Sequence, residues 1–204
     1  MIQVAEGGLG EVSNILTRFR ELAVQASSDT VGEDERGFLN KEVVQLKNEI
    51  QRIAESTRYG SAHLLDGTGE EYAFQVDINN DDFQDRISFD ASAQEVTTAS
   101  LGVDGFDFST RDGAREALDT LGEAQKNVNG HRATLGALQN RLISTGENLG
   151  TAIENFSAAN SRIRDTDVAK ASADLTKNSI INQAAIGVLA QANQLPGAAL
   201  KLIG

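Results

Sequence analysis

From Leu121 to Ile163 every seventh residue is apolar: Leu121, Val128, Leu135, Leu142, Leu149, Phe156 and Ile163. A seven-residue repeat sustained over that distance specifies a long helix with one apolar stripe, which other helices must cover as in a coiled coil. The second stripe, Ala124, His131, Leu138, Thr145, Ala152 and Ala159, is mostly small. Small residues let another backbone approach, so the pattern favours a tight multi-helix bundle over a two-stranded zipper.

The chain has 204 residues, 40% of them hydrophobic but only 5% aromatic and none Trp, so its core is built from Leu, Ile, Val and Ala. The single proline, Pro196, leaves every earlier segment without the strongest helix breaker. Thirty acidic residues against eighteen basic give a net charge of −12, which argues against duplex nucleic acid and anionic membrane surfaces as partners. No apolar run is long enough for membrane insertion, and no charged-then-apolar leader is visible. The absence of Cys removes disulfides, thiol chemistry and thiolate metal sites without fixing the compartment.

Along the chain, Ala5, Leu9, Val12, Leu16, Phe19, Ala23 and Ala26 are spaced by fours and threes, one face of a helix over residues 1–28. The pattern opens at Met1 with no cap, so the helix is expected to begin upstream of a truncated start. A polar break at Ser27-Ser28-Asp29-Thr30 and Gly32 precedes a second helix carrying Leu39, Val43, Leu46, Ile50 and Ile53. Between Tyr59 and Gly113 the period becomes two: Tyr72, Phe74, Val76 and Ile78 face Ile87 and Phe89 across an Asn-Asn-Asp-Asp turn, predicting a β-hairpin and then an irregular connection through 95–110. Asp165-Thr166-Asp167 supplies a hinge and a new N-cap, and a last helix runs from about Val168 to Leu195. The expected fold is mainly α, an elongated helical rod in the form of a coiled-coil-like bundle with a small β-hairpin region. Its divisions are 1–58 for the first rod helices, 59–111 for the hairpin and connection, 112–164 for the long rod helix and 165–204 for a terminal helix.

Signals for chemistry are weak. The two histidines, His63 and His131, lie in no catalytic motif, and His131 reads as a polar interruption that fixes register in the stripe. Asp77, Asn79, Asp81, Asp82 and Asp85 resemble the start of a calcium loop but lack its sixth-position Gly and twelfth-position Glu, so a solvated turn is the better reading. No catalytic residue, metal site or cofactor is expected. On the first helix Arg18, Glu21, Leu22 and Gln25 share one stripe; apolar Leu22 among polar neighbours is compatible with a small anchor for a partner, but periodicity alone favours a solvated helix face.

Three segments carry a resemblance to bacterial flagellin: Arg20-Glu21-Leu22-Ala23-Val24-Gln25-Ala26, Ser161-Arg162-Ile163-Arg164-Asp165-Thr166-Asp167, and Val188 through Pro196. With their surroundings they cover 1–66 and 112–204, leaving no room for large variable outer domains. The resemblance implies a structural filament subunit and no enzyme, located outside the cell in the flagellum and exported by the flagellar secretion apparatus without a cleaved signal peptide. It implies as partners other flagellin subunits, an export chaperone, and the filament cap and junction proteins. Leu175, Ile181, Val188, Leu189 and Leu195 on the last helix are the implied assembly and chaperone contacts. It also implies recognition by Toll-like receptor 5 of a vertebrate host through Arg18, Leu22 and Glu42, with Glu21 and Gln25 beside them. Thr17 and Leu46 stand where familiar receptor-activating members carry Gln and Arg, which implies weaker recognition. The alternative is a hook-filament junction protein with flagellin-like ends. A calcium-dependent enzyme built on the Asp77 loop is a distant third, since 67–111 is short and poor in His, Cys and clustered Glu.

Overall fold

A computed structural model describes the backbone of residues 1–203 and the side chains of residues 1–193. The chain divides into two compact units, 1–148 and 149–204.

In the first unit, α1 (Ile2–Ala26) presents Ala5, Leu9, Val12, Leu16, Phe19, Ala23 and Ala26 to the core, all essentially inaccessible to solvent, and Ile2 and Leu22 join them. Fours and threes keep these side chains on a single face, because a helix turns once every 3.6 residues. The helix ends against Arg36, whose Nε donates to the Ala26 carbonyl at 2.8 Å and whose Nη2 donates to the Ser28 carbonyl at 2.8 Å. A buried guanidinium thus meets carbonyls that a helix C-terminus leaves unsatisfied, with the favourable sign for its dipole. Helix α2 (Glu33–Ser56) opens with Glu33, Asp34 and Glu35, the charge preferred at an N-terminus, and buries Val43, Ile50, Ile53 and Ala54. Leu39 and Leu46 pack against the same core half-buried.

The β region contains two hairpins where one was expected. Strands β1 (Arg58–Tyr59) and β2 (Ala62–His63) pair antiparallel around Gly60, whose φ of +64° is open to glycine at little cost. Two residues per strand are too few for an alternation to show. Strands β3 (Glu71–Gln75) and β4 (Arg86–Asp90) pair antiparallel with Tyr72 opposite Phe89 and Phe74 opposite Ile87. The alternation continued to Ile78, but the strand stops at Gln75. Beyond it the Val76 N–H donates to the Asp85 carbonyl, and the Asp77 carboxylate takes the Ile78 N–H, so the backbone turns and leaves Ile78 in water.

After a short 3-10 turn at Ser92–Gln94, the connection contributes Val96, Leu101, Val103, Phe106 and Phe108 to the core. Phe19 meets Phe106 and Phe108 edge-on, with ring centroids 5.9 and 6.5 Å apart. Three polar residues of α2 clamp this segment's backbone. Asn40 Oδ1 accepts from Phe108 N–H, Lys47 Nζ donates to the carbonyls of Asp104 and Phe106, and Gln51 Oε1 accepts from Thr98 N–H. An irregular segment has no ladder to satisfy its backbone, and side chains at spacings of seven and four on one helix face supply the partners.

Helix α3 (Arg111–Arg164) closes the bundle with Ala114, Ala117, Leu121, Ala124, Val128 and Leu135, while Leu138 and Leu142 pack half-buried. Backbone proximity is most extensive between α1 and α2, while α3 meets the same core through Ala114, Ala117 and Ala124 together with its larger stripe residues. Within residues 1–148 the seven-residue stripe is covered as far as Leu142.

In the second unit, residues 149–164 of α3 and helix α4 (Val168–Ile203) leave Phe156, Ile163 and every described side chain of α4 exposed. Asp167 caps α4 by accepting from Lys170 N–H at 3.0 Å.

Candidate functional site

The polar stripe of α1 forms a charge cluster with α2. Arg18 Nε lies 2.6 Å from Glu42 Oε1, and Arg18 Nη1 lies 2.9 Å from Glu21 Oε2. The hydrogen bond that Arg18 donates to Glu42, then the one it donates to Glu21, raises the Arg18 pKa further above its already high ordinary value. Antiparallel packing of α1 on α2 brings positions 18 and 42 together although 24 residues separate them. Gln25 is exposed one turn beyond Glu21 on the same stripe.

Leu22 departs from expectation. It is 0% exposed and belongs to the core, so it is no surface anchor. Its position relative to Arg18 and Glu21 is right for the stripe, but the stripe borders the α1–α2 contact, where a leucine rotates inward. Thr17 is exposed and hydrogen-bonds the Ser13 carbonyl, while Leu46 turns half into the core.

On α4, Leu175, Ile181, Val188 and Leu189 are all exposed. Leu195 lies outside the described side chains.

The acidic loop serves its own backbone. Asp81 Oδ1 accepts from Phe83 and Gln84 N–H, Asp85 Oδ2 accepts from Asp81 N–H, and Asp82 pairs with Arg86. Among the described residues no group of His, Cys, Asp and Glu gathers as a metal shell. His63 stands beside Asp66 in the first hairpin and His131 is half-buried on α3, two unrelated settings. Among the described residues no helix is long and apolar enough to cross a membrane.

Residues 1–70 match the bacterial flagellin N-terminal helical region, and residues 118–203 match the bacterial flagellin C-terminal helical region. A flagellin of Halalkalibacterium halodurans is 42% identical over 203 residues, covering 100% of this chain and 74% of that protein. This chain belongs to the bacterial flagellin family. The flagellar filament 31.3 kDa core protein of Treponema maltophilum is 38% identical over 94% of this chain and 71% of its own length. The crystal structure of Bacillus cereus flagellin shares the fold with a TM-score of 0.64 and 32% identity, covering 78% of this chain and 89% of that one. Flagellins are structural proteins and not enzymes, so this flagellin is a structural subunit of the bacterial flagellar filament, outside the cell, and assembles with other flagellin subunits. The alternative of a junction protein is not retained.

Proposed function

We propose that this filament subunit is also a ligand of Toll-like receptor 5 of a vertebrate host, contacted through Arg18, Glu21, Gln25 and Glu42. The observation that supports this is the held guanidinium of Arg18, fixed by two carboxylates on an exposed helix face. A planar fork already ordered in the free protein loses less freedom on binding than a mobile side chain does. Leu22 supports the cluster from within the core rather than touching the receptor. The test is binding of the purified receptor ectodomain to wild type and to Arg18→Ala. The variant is expected to weaken affinity more than about tenfold, the scale of a hot-spot truncation. Equal affinity, or no binding by either, removes the surface from the list of receptor sites.

We read residues 165–204 as the terminal-domain helix, joined by a hinge to rod helices at 1–58 and 112–164, with 59–111 as the hairpin and connection. Leu175, Ile181, Val188, Leu189 and Leu195 are the contacts for neighbouring subunits in the filament and, before assembly, for an export chaperone. Filament cap and junction proteins meet the same subunit at the filament's ends. Export runs through the flagellar secretion apparatus without a cleaved signal peptide. Hydrogen exchange with and without the cognate chaperone tests the α4 assignment: protection of 175–189 supports it, and unchanged exchange there removes it.

A further inference from the structure

The loop joining β3 to β4 holds the most exposed large apolar side chains of residues 1–148: Ile78 is 95% and Phe83 84% exposed. The loop is nevertheless tied down. Besides the bonds made by Asp81 and Asp85, Gln75 Nε2 donates to the Asp77 carbonyl at 2.6 Å and to the Asn79 carbonyl at 2.8 Å. A loop stitched by its own polar groups, with its two large apolar side chains in water, is organised to present them, and ordering costs on binding are correspondingly small. Around the pair stand the carboxylates of Asp77, Asp81 and Asp82.

A complementary surface lies on the same unit. Between β4 with its 3-10 turn and α3 runs an open groove of about 380 Å³, walled by Phe89, Ala93, Ala137 and Leu138. Gln94 lines it, only 6% exposed, and its Oε1 has no hydrogen-bond partner. Arg141 stands at the rim with no ion pair among the described residues. Apolar walls and the Arg141 cation match a loop with two apolar side chains and a fringe of carboxylates, while the groove's own acid, Asp90, is already held by Ser92 and Ala93.

We propose that Ile78 and Phe83 of one copy seat in the groove between β4 and α3 of a second copy, with the acidic fringe of the loop facing Arg141. The proposal rests on the family's self-assembly and goes beyond it by naming the contact. The loop and the groove are different patches, so the contact is heterologous and propagates as an open array instead of closing on itself, as a filament requires.

The chain contains no cysteine, so introduced thiols report the contact without background. Phe83 and Ala137 are both exposed, so single Phe83→Cys and Ala137→Cys chains keep the fold, and exposed Glu116→Cys, on the same side of α3 but about 31 Å away along its axis and outside the groove, serves as control. Mixed at high concentration under mild oxidation, the Phe83→Cys and Ala137→Cys chains are expected to form the mixed disulfide about tenfold faster than the Phe83→Cys and Glu116→Cys pair, since the thiols must come within about 7 Å between Cα atoms. Replacing Ile78 with Ser in the Phe83→Cys chain is expected to remove that advantage, with circular dichroism unchanged. Equal rates for both pairs, no mixed disulfide at all, or Phe83→Cys homodimers forming fastest would each overturn the proposal, the last by showing loop against loop.

Discussion

Arg18 Nε rests 2.6 Å from Glu42 Oε1 on the outside of the α1–α2 contact, and Leu22, one turn along α1, is sealed beneath it. The two neighbours should therefore fail in opposite ways. Arg18→Ala leaves thermal unfolding essentially unchanged, because an exposed pair is screened by solvent and salt. Leu22→Ala leaves a cavity in the bundle and costs about 2–5 kcal/mol of stability. Denaturant unfolding of the two variants and the parent checks this, and a larger loss for Arg18→Ala than for Leu22→Ala would contradict the burial assigned to each.

Helix-interior glycines divide by what surrounds them. A side-chain carbon at Gly130 of α3 meets nothing within 4 Å, whereas one at Gly8 of α1 falls 2.8 Å from Leu65 Cδ1 and 2.8 Å from Thr57 Oγ1. Gly130→Ala is expected to stabilise by about 0.5–1 kcal/mol through reduced freedom of the unfolded chain. Gly8→Ala should destabilise, since the buried Leu65 has little room to give. Urea midpoints of the two variants should move in opposite directions.

What the sequence disclosed follows how local each signal is. The buried face of α1 was legible residue by residue, because helical periodicity depends only on spacing, and the β3–β4 pairing likewise through its alternation. Leu22 was misplaced because a stripe argument gives a helix face but not what lies against it. The α2 residues Asn40, Lys47 and Gln51 were passed over: nothing in a polar helix face announces that a chain roughly fifty residues or more downstream will return to it for hydrogen bonds. Arg36 escaped notice for the same reason, its partners being the last carbonyl of α1 and the Ser28 carbonyl in the turn that follows. The seven-residue stripe predicted a need for cover but could not say how much of it residues 1–148 meet.

His131 sits half-buried on α3, and burial lowers its pKa below the ordinary value of about 6.5. The unfolded chain thus binds a proton more readily than the folded one between these two values. Its contribution is full above the unfolded value and is lost as the pH falls toward the folded value, so stability declines with acidification through that window. His131→Gln keeps a polar side chain without the titration and should remove that component of the slope. Urea unfolding at a series of pH values from 7.5 downward provides the comparison, and parallel curves for parent and variant would exclude His131 as its source.

Helix α4 presents the sharpest contrast in the chain. Val128 and Leu135 of α3 are fully buried, while Leu175, Ile181, Val188 and Leu189 of α4 are all exposed. An isolated helix draws little stability from its own hydrogen bonds, because nucleation is costly and most helical stability in proteins comes from packing. Amides of 175–190 in the dilute protein should therefore exchange much faster than those of 124–135, since they open locally without unfolding the bundle. Urea low enough to leave the bundle intact should further accelerate exchange in α4 alone. Hydrogen exchange read by mass spectrometry separates the two segments, and equal protection at 175–190 and 124–135 would mean that α4 has found a cover in the dilute chain.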